Sequence, residues 1–362
     1  MSLSGAAPLT VVTVGQTVHD WPIILLAVGS LGAMAASLAV LYSRLLPAGS
    51  WLHSFGISAA CAALGAALWF VVIALLIPEA VTGLFVPIGM MGAVAATLAS
   101  MAMRATDPPT SAVLVFSAAW SLLVFVPVAL ATFITGVVGV APVDHAGSLV
   151  VNVAGGAAAF GILLVRSEPS DVPATVVPRW VSALAVTLLV GAWLAWLAAA
   201  ELAFDEAAAT AVGNGVLGGA GGVVGWLAVQ RIRHQSSSLA AVAAGLMSGL
   251  VAVSAGAPLL SPVAAVSTGV IAGGVACLVT LGRIVASGRE QWFLPGTHLV
   301  AGAVGLVLVG LVANDAGFLF TGQIGFIQDQ LVSTVVVSLY SAGVSFLLWT
   351  LLARLRRRRT TS

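Results

Sequence analysis

Eleven long apolar runs, broken by short stretches of proline, glycine or charge, leave this chain few folds. They fall at about 22–46, 51–77, 80–104, 110–135, 146–166, 178–203, 208–231, 238–256, 262–287, 295–314 and 331–355. A helix of roughly 20 apolar residues crosses a bilayer core. Inside lipid the backbone must satisfy its own polar groups, which permits only helices or closed barrels. Runs of this length without alternation are helices, and no barrel pattern is present. Composition agrees, since 60% of the residues are hydrophobic and 7% charged, whereas soluble domains carry about a quarter charged residues. The expected class is an all-α integral membrane protein, and 362 residues spent on eleven spans leave almost nothing for a soluble domain.

The charges supply an independent check on that count. All thirteen basic residues are Arg. With the N-terminus outside, Arg44 follows the first run, Arg104 the third, Arg166 and Arg179 lie between the fifth and sixth, Arg231 and Arg233 follow the seventh, Arg283 and Arg289 the ninth, and Arg354 and Arg356 to Arg359 the eleventh. Every arginine then lies on the cytoplasmic side, as the positive-inside rule requires. One span missed or invented in the middle would scatter them over both faces. Residues 1–21 have no basic stretch ahead of the first apolar run, so they read as an extracellular N-terminus rather than a cleaved leader. Residues 356–362 read as a cytoplasmic basic tail whose main work is orientation, although it offers a surface to anionic lipid or to a cytoplasmic regulatory protein.

Within the spans the composition is small and dry. The chain has 40 Gly, with runs such as GNGVLGGAGGVVG at 213–225 and GVIAGG at 269–274. Small residues let helix backbones approach closely in a membrane. The GxGxxG-like pattern sits inside an apolar span with no strand before it, which argues against a nucleotide loop. Cys61 and Cys277 stand alone in apolar runs and read as small core residues. No metal-ligand cluster, nucleophile–base pair or phosphate loop stands out, so neither an enzyme nor a bound cofactor is expected, and nothing points to nucleic acid.

Polar groups at membrane depth are costly and tend to mark pathways. Asp144 and His145 open the fifth run, Asn152 lies about two turns further in, His298 stands just inside the tenth, and Glu201 ends the sixth, where it reads as facing outer water. Asn152 lies in VVNVAGGAAA and His298 in GTHLVAGAVG, each followed four residues later by glycine, Gly156 and Gly302. If spans 1–5 and 6–10 are two halves, an odd number of spans per half inverts the second against the first. Spans 5 and 10 are then equivalent and the two polar residues meet between the halves. The plainer alternative is two unrelated interhelical hydrogen bonds.

At these residues the chain resembles the ammonium transporter (Amt/Mep/Rh) family as a divergent member. DHAGSLVVNVAGGAAAF at 144–160 is similar to the family's D-F-A-G-G-x-V-V-H-I-x-A-G, and GTHLVAGAVG to its G-V-H-G-V-x-G-I-x-G. The eighth and ninth runs, over 245–273, and the last helix, over 330–352, also fit, while the first helix and the loops match poorly. The resemblance implies one membrane domain over 1–362: repeats at 22–166 and 178–314, a last helix at 331–355, and assembly as a homotrimer in the cell membrane. It further implies ammonium recruited by aromatic rings and a hydroxyl, then conducted along a hydrophobic pore lined by two histidines.

Carried over by position, the pore pair is Asn152 and His298, so one imidazole is replaced by an amide that cannot carry a proton at accessible pH. The outer vestibule and gate fall on Phe133, Trp193, Trp196, Ala200 and Gly89, the last two lacking the family's hydroxyl and phenyl ring. Asp144 becomes the helix-start carboxylate, capping backbone N–H groups, and Glu290 the acidic residue ahead of His298. Trp193 and Trp196 also admit a plain reading as interface aromatics. The expected function is transport of ammonium or ammonia with atypical proton coupling. The alternatives are a non-conducting relative serving as sensor or partner scaffold, and a channel for another small polar solute.

Overall fold

The computed structural model of the chain describes residues 21–46, 50–77, 83, 85–165 and 175–360. Residues 1–20 and Arg166 lie outside the described residues, as do the side chains of Arg356 to Arg359. The described chain is helical. Among the described residues, nine helices are long and apolar enough to cross a membrane: α1 (Trp21–Ser43), α2 (Trp51–Leu76), α3 (Phe85–Arg104), α4 (Thr110–Thr135), α6 (Arg179–Ala199), α7 (Glu206–Ile232), α9 (Pro262–Ser287), α10 (Glu290–Val312) and α11 (Gly325–Thr360). Two shorter apolar helices, α5 (Ser148–Leu164) and α8 (Leu239–Val253), complete the eleven. α10 begins five residues ahead of the expected run, because the sequence reading stopped at Pro295 whereas the helix passes through it as a π-helical turn over Pro295–Val300.

Lipid is as apolar as leucine, so burial of apolar area drives little association between the helices, and close packing must hold them. α2 shows the consequence, exposing Leu52, Val71, Leu75 and Leu76 on its outer face while packing against α3. The tightest packing lies among α7, α8 and α9. A Cβ on Gly249 of α8 or on Gly269 of α9 would overlap the Gly218 carbonyl of α7, and one on Gly273 would overlap that of Gly222. The Gly-rich run at 213–225 therefore brings three backbones together. Arg104, expected only as an orienting charge, is 4% exposed and ties α3 to α2 by donating from Nη1 to Ser58 Oγ at 2.7 Å and from Nη2 to Ser54 Oγ at 2.7 Å. Cys61 and Cys277 are buried free thiols.

The two halves meet along counterpart helices, α1 against α6 and α5 against α10. The second contact is reciprocal. A Cβ on Gly156 would stand 2.9 Å from Leu299 Cβ, and one on Gly302 2.9 Å from Val153 Cγ2. Each glycine, four residues beyond its polar residue, abuts the residue that follows the polar residue of the other helix, which is what an inverted repeat produces at its axis.

Candidate functional site

α5 opens with a turn of unusual construction. Gly147 is left-handed, at φ +84°, and a Cβ there would press to 3.0 Å from Val151 Cγ2, so only glycine suits the position. From it a π-helical stretch, Ser148–Val153, carries Asn152, whose backbone N–H reaches five residues back to the Gly147 carbonyl at 3.2 Å. His298 sits in the matching π-helical turn of α10. Such turns recur at functional sites because they widen a helix locally and aim one side chain away from the regular spacing.

The amide and the imidazole meet. His298 Nδ1 lies 2.8 Å from Asn152 Oδ1, with His298 fully buried and Asn152 3% exposed. Asn152 Nδ2 donates to the Gly147 carbonyl at 3.3 Å, which orients the amide and makes Oδ1 the acceptor of the Nδ1 proton. On its other side His298 Nε2 lies 2.7 Å from the Tyr42 hydroxyl. Tyr42 is also 2.9 Å from Thr297 Oγ1, and Thr297 donates to the Phe293 carbonyl at 2.6 Å. Four contacts thus run in line: Asn152, His298, Tyr42, Thr297 and the Phe293 carbonyl. Neutral His298 brings one hydrogen and each hydroxyl one more, so three hydrogens serve four contacts. An imidazolium would supply the fourth.

Asp144 heads this arrangement. Its Oδ2 accepts from the amides of Leu149 and Val150, both at 3.0 Å, the capping role expected of it. Burial outweighs those bonds and raises its carboxyl to about 6. Glu290, the acidic residue ahead of His298, stands exposed at the start of α10.

Trp193 and Trp196 are 1% and 2% exposed, which excludes the plain reading of interface aromatics. Trp196 Nε1 donates to the Ala146 carbonyl at 2.9 Å and Trp193 Nε1 to Ser254 Oγ at 2.8 Å, holding the turn ahead of α5 against the end of α8. Ala200 follows one turn later and is partly exposed. Phe133 lies in a π-helical end of α4 and packs partly buried on the core. At Gly89 a Cβ would meet Phe70 Cζ at 2.7 Å and Trp69 Cδ1 at 2.8 Å. Two rings of α2 therefore fill the place of a side chain on α3.

Sequence reasoning missed Tyr42, Thr297 and Gln330. Gln330 of α11 clamps the turn ahead of α5, accepting from Val143 N–H at 2.8 Å and donating to the Val143 carbonyl at 2.9 Å. Glu201, read as facing water, instead lies 3.1 Å from His145. Tyr42 carried a usable signal as one of only two tyrosines, inside a span.

Residues 51–360 match the model of the Ammonium Transporter Family, a match that begins after α1. The chain is 28% identical over 250 residues to an ammonium transporter of Bacillus subtilis, covering 66% of this chain and 61% of that protein. The aligned region thus spans about three fifths of that relative's length. The fold matches the crystal structure of Mep2 from Candida albicans with a TM-score of 0.77 over 90% of this chain and 82% of that one, at 20% identity. A structure described as Sensor Amt Protein matches with a TM-score of 0.74 over 93% of each chain at 15% identity.

Proposed function

Because this chain belongs to the ammonium transporter family, we propose that it moves ammonium or ammonia across the cell membrane along the seam between α5 and α10, past Asn152 and His298. The reading takes the whole chain as one transporting unit, with its N-terminus outside, its C-terminus cytoplasmic, and three copies to an assembly. The observation that carries it is the 2.8 Å bond between the amide and the imidazole, made across the axis of two inverted halves.

Proton coupling in this reading is one-sided. Asn152 spends Nδ2 on Gly147 and offers His298 only an acceptor, so Nδ1 keeps its proton. Exchange is left to Nε2, and there the partner is Tyr42. Protonating His298 completes the four-contact chain, yet it places an uncompensated charge in a buried site, which is costly. Neutral ammonia is therefore the favoured cargo and proton passage the minor one. A jump in ammonium across proteoliposomes, read as internal pH change and current, tests this. No response above empty liposomes would end the reading. Equal flux in Asn152→Ala, His298→Ala and unmodified protein would remove these two residues from the path.

A second reading is supported by the same contacts. His298 is bonded to Tyr42 on one side and Asn152 on the other, and all three are shielded from water, as befits a relative that binds ammonium without conducting it and signals to a cytoplasmic partner. It predicts ammonium binding by calorimetry with no flux.

A further inference from the structure

α1 and α2 use their small residues differently from α7, α8 and α9. In those three helices glycine brings backbones into contact, whereas Gly32 of α1 has only Met90 Cε within 4 Å, at 3.8 Å. The room left is a groove of about 250 Å³, walled by Gly32, Ala36 and Ala39 of α1 and by Ala59, Ala63 and Ala66 of α2, with α3 as its floor. Ala59 and Ala63 are exposed and Ala36 partly so, which opens the groove sideways to whatever surrounds the bundle.

The chemistry of the walls selects hydrocarbon. An apolar cavity of roughly 150 Å³ stays dry and takes up a benzene ring, and this one is larger. Its single polar side chain, Ser58, is already spent: it donates to the Ser54 carbonyl at 3.1 Å and accepts from Arg104 Nη1 at 2.7 Å. No hydrogen bond is left for a polar guest.

One end of the groove has the opposite character. Phe55, the lining residue nearest the start of α2, also packs on a small cluster of Val40, Val181 and Ala185, where α1, α2 and α6 come together. Arg44 lies one turn beyond Val40, Arg179 just ahead of Val181 and His53 just ahead of Phe55, and all three are exposed, as is Trp180. Exposed tryptophan beside cations is the composition of a membrane–water interface. Among the described residues the acids at this end are Asp107 and Glu290, and no ion pair joins either to Arg44 or Arg179.

A dry groove that ends in exposed cations complements a hydrocarbon chain joined to an anion at the membrane surface. A second copy of this chain fits less well, since it would bring mainly further arginine to that level, and like charges repel. We propose that the groove between α1 and α2 seats one acyl chain of an anionic phospholipid, with its phosphate held by Arg44 and Arg179. On the orientation given above the lipid belongs to the inner leaflet, and nothing else in the inference depends on that reading. Tyr42 stands between Ala39 of the groove and Arg44, so the lipid braces the stretch of α1 that carries the hydroxyl to His298.

The test is native mass spectrometry of the delipidated full chain, titrated with phosphatidylglycerol, with phosphatidylcholine of the same chains, and with glycerophosphoglycerol, the head without chains. Each arginine near the surface is worth about fivefold to an anionic head, so the first phosphatidylglycerol should bind roughly thirtyfold tighter than phosphatidylcholine. Arg44→Gln with Arg179→Gln should remove that preference. Ala59→Leu with Ala63→Leu fills the groove from exposed positions, which spares the core, and should weaken phosphatidylglycerol toward the phosphatidylcholine value, because chain and head belong to one molecule. Equal affinity for the two lipids, an undiminished preference in either variant, or a chainless head that binds as tightly as the lipid overturns the proposal. A groove-filled variant that keeps the preference but comes apart into single chains assigns the groove to a second copy instead. Absence of flux with the lipid preference intact ends the transport reading alone.

Discussion

Replacing Tyr42 by Phe separates proton movement from ammonia movement. The ring stays, so its packing against His298, with centroids 5.7 Å apart, survives, and only the hydroxyl goes. Neutral His298 still gives Nδ1–H to Asn152, and Thr297 still donates to Phe293. His298 Nε2 is left as a buried acceptor without a hydrogen, which costs about 1–3 kcal/mol of stability. The imidazolium loses more, because its Nε2–H has nowhere to donate, and a hydrogen bond to a charged group contributes about 1.5–3 kcal/mol. Only the difference between the two losses shifts the balance; at up to about 2 kcal/mol, and about 1.4 kcal/mol per decade, the charged state becomes up to roughly thirtyfold rarer. Proton-coupled current, measured on supported membranes after an ammonium jump, should fall by that factor. Flux of neutral ammonia, followed as internal alkalinisation by stopped flow, should stay within about threefold, since no barrier to an uncharged molecule has been added. Undiminished current in the Phe variant, or no current in the unmodified protein, refutes the route through His298 and Tyr42.

Asp144 carries a pH signature whose sign is set by burial. Its folded value of about 6 lies above the ordinary carboxylate value of 3.8, so the folded chain binds more protons and loses stability as pH climbs between about 4 and 6, by up to ~3 kcal/mol. Asp144→Asn should flatten that slope in thermal unfolding, and an unchanged slope would assign the titration elsewhere. Gly249→Val drives a side chain into the Gly218 carbonyl and should cost about 1–3 kcal/mol or more, seen as loss of monodisperse protein. By contrast Gly191, with open space around it, should accept Ala with a gain of about 0.5–1 kcal/mol; equal behaviour at the two glycines would deny that close packing joins α7 to α8. Gln330→Leu orphans the Val143 N–H and carbonyl together and should cost about 2–4 kcal/mol, with faster amide exchange across residues 143–147 as the local readout.

Helix number was legible because lipid leaves one solution for a long apolar run, and the inverted pairing followed from an odd number of spans per half. The meeting of Asn152 and His298 was legible for the same reason, since both sit at matching distances from glycines that the symmetry brings together. Tyr42 stood out as one of two tyrosines, yet its pairing with His298 was not legible. It lies on α1, ahead of the residues that match the family, and no local spacing relates position 42 to position 298; only the packed fold brings them to 2.7 Å. The π-helical turns were hidden too, because the hydrogen-bond shift that makes them leaves no mark on apolar periodicity. Glu201 misled for a different reason. At the end of a run a carboxylate normally faces water, and its partner His145 comes from a turn 56 positions back.

The amide at 152 does more than delete a proton carrier. An imidazole there could donate to or accept from His298, and either choice would let protons pass in both directions along the seam. An amide held by Gly147 at 3.3 Å offers oxygen alone, so the tautomer of His298 is locked and its reactive nitrogen points at α1. The hydrogen-bond chain then leaves the symmetry axis and ends at the Phe293 carbonyl on α10, a group that accepts and never donates. A chain with a dead end can hold a proton for a time but cannot hand it onward without help from water at Thr297. On the proposed reading, proton passage therefore turns on whether water reaches that hydroxyl, which stands fully buried, as does His298. With no water there, the same four contacts that resemble a wire act as a lock, and only an uncharged molecule able to slip past them would cross.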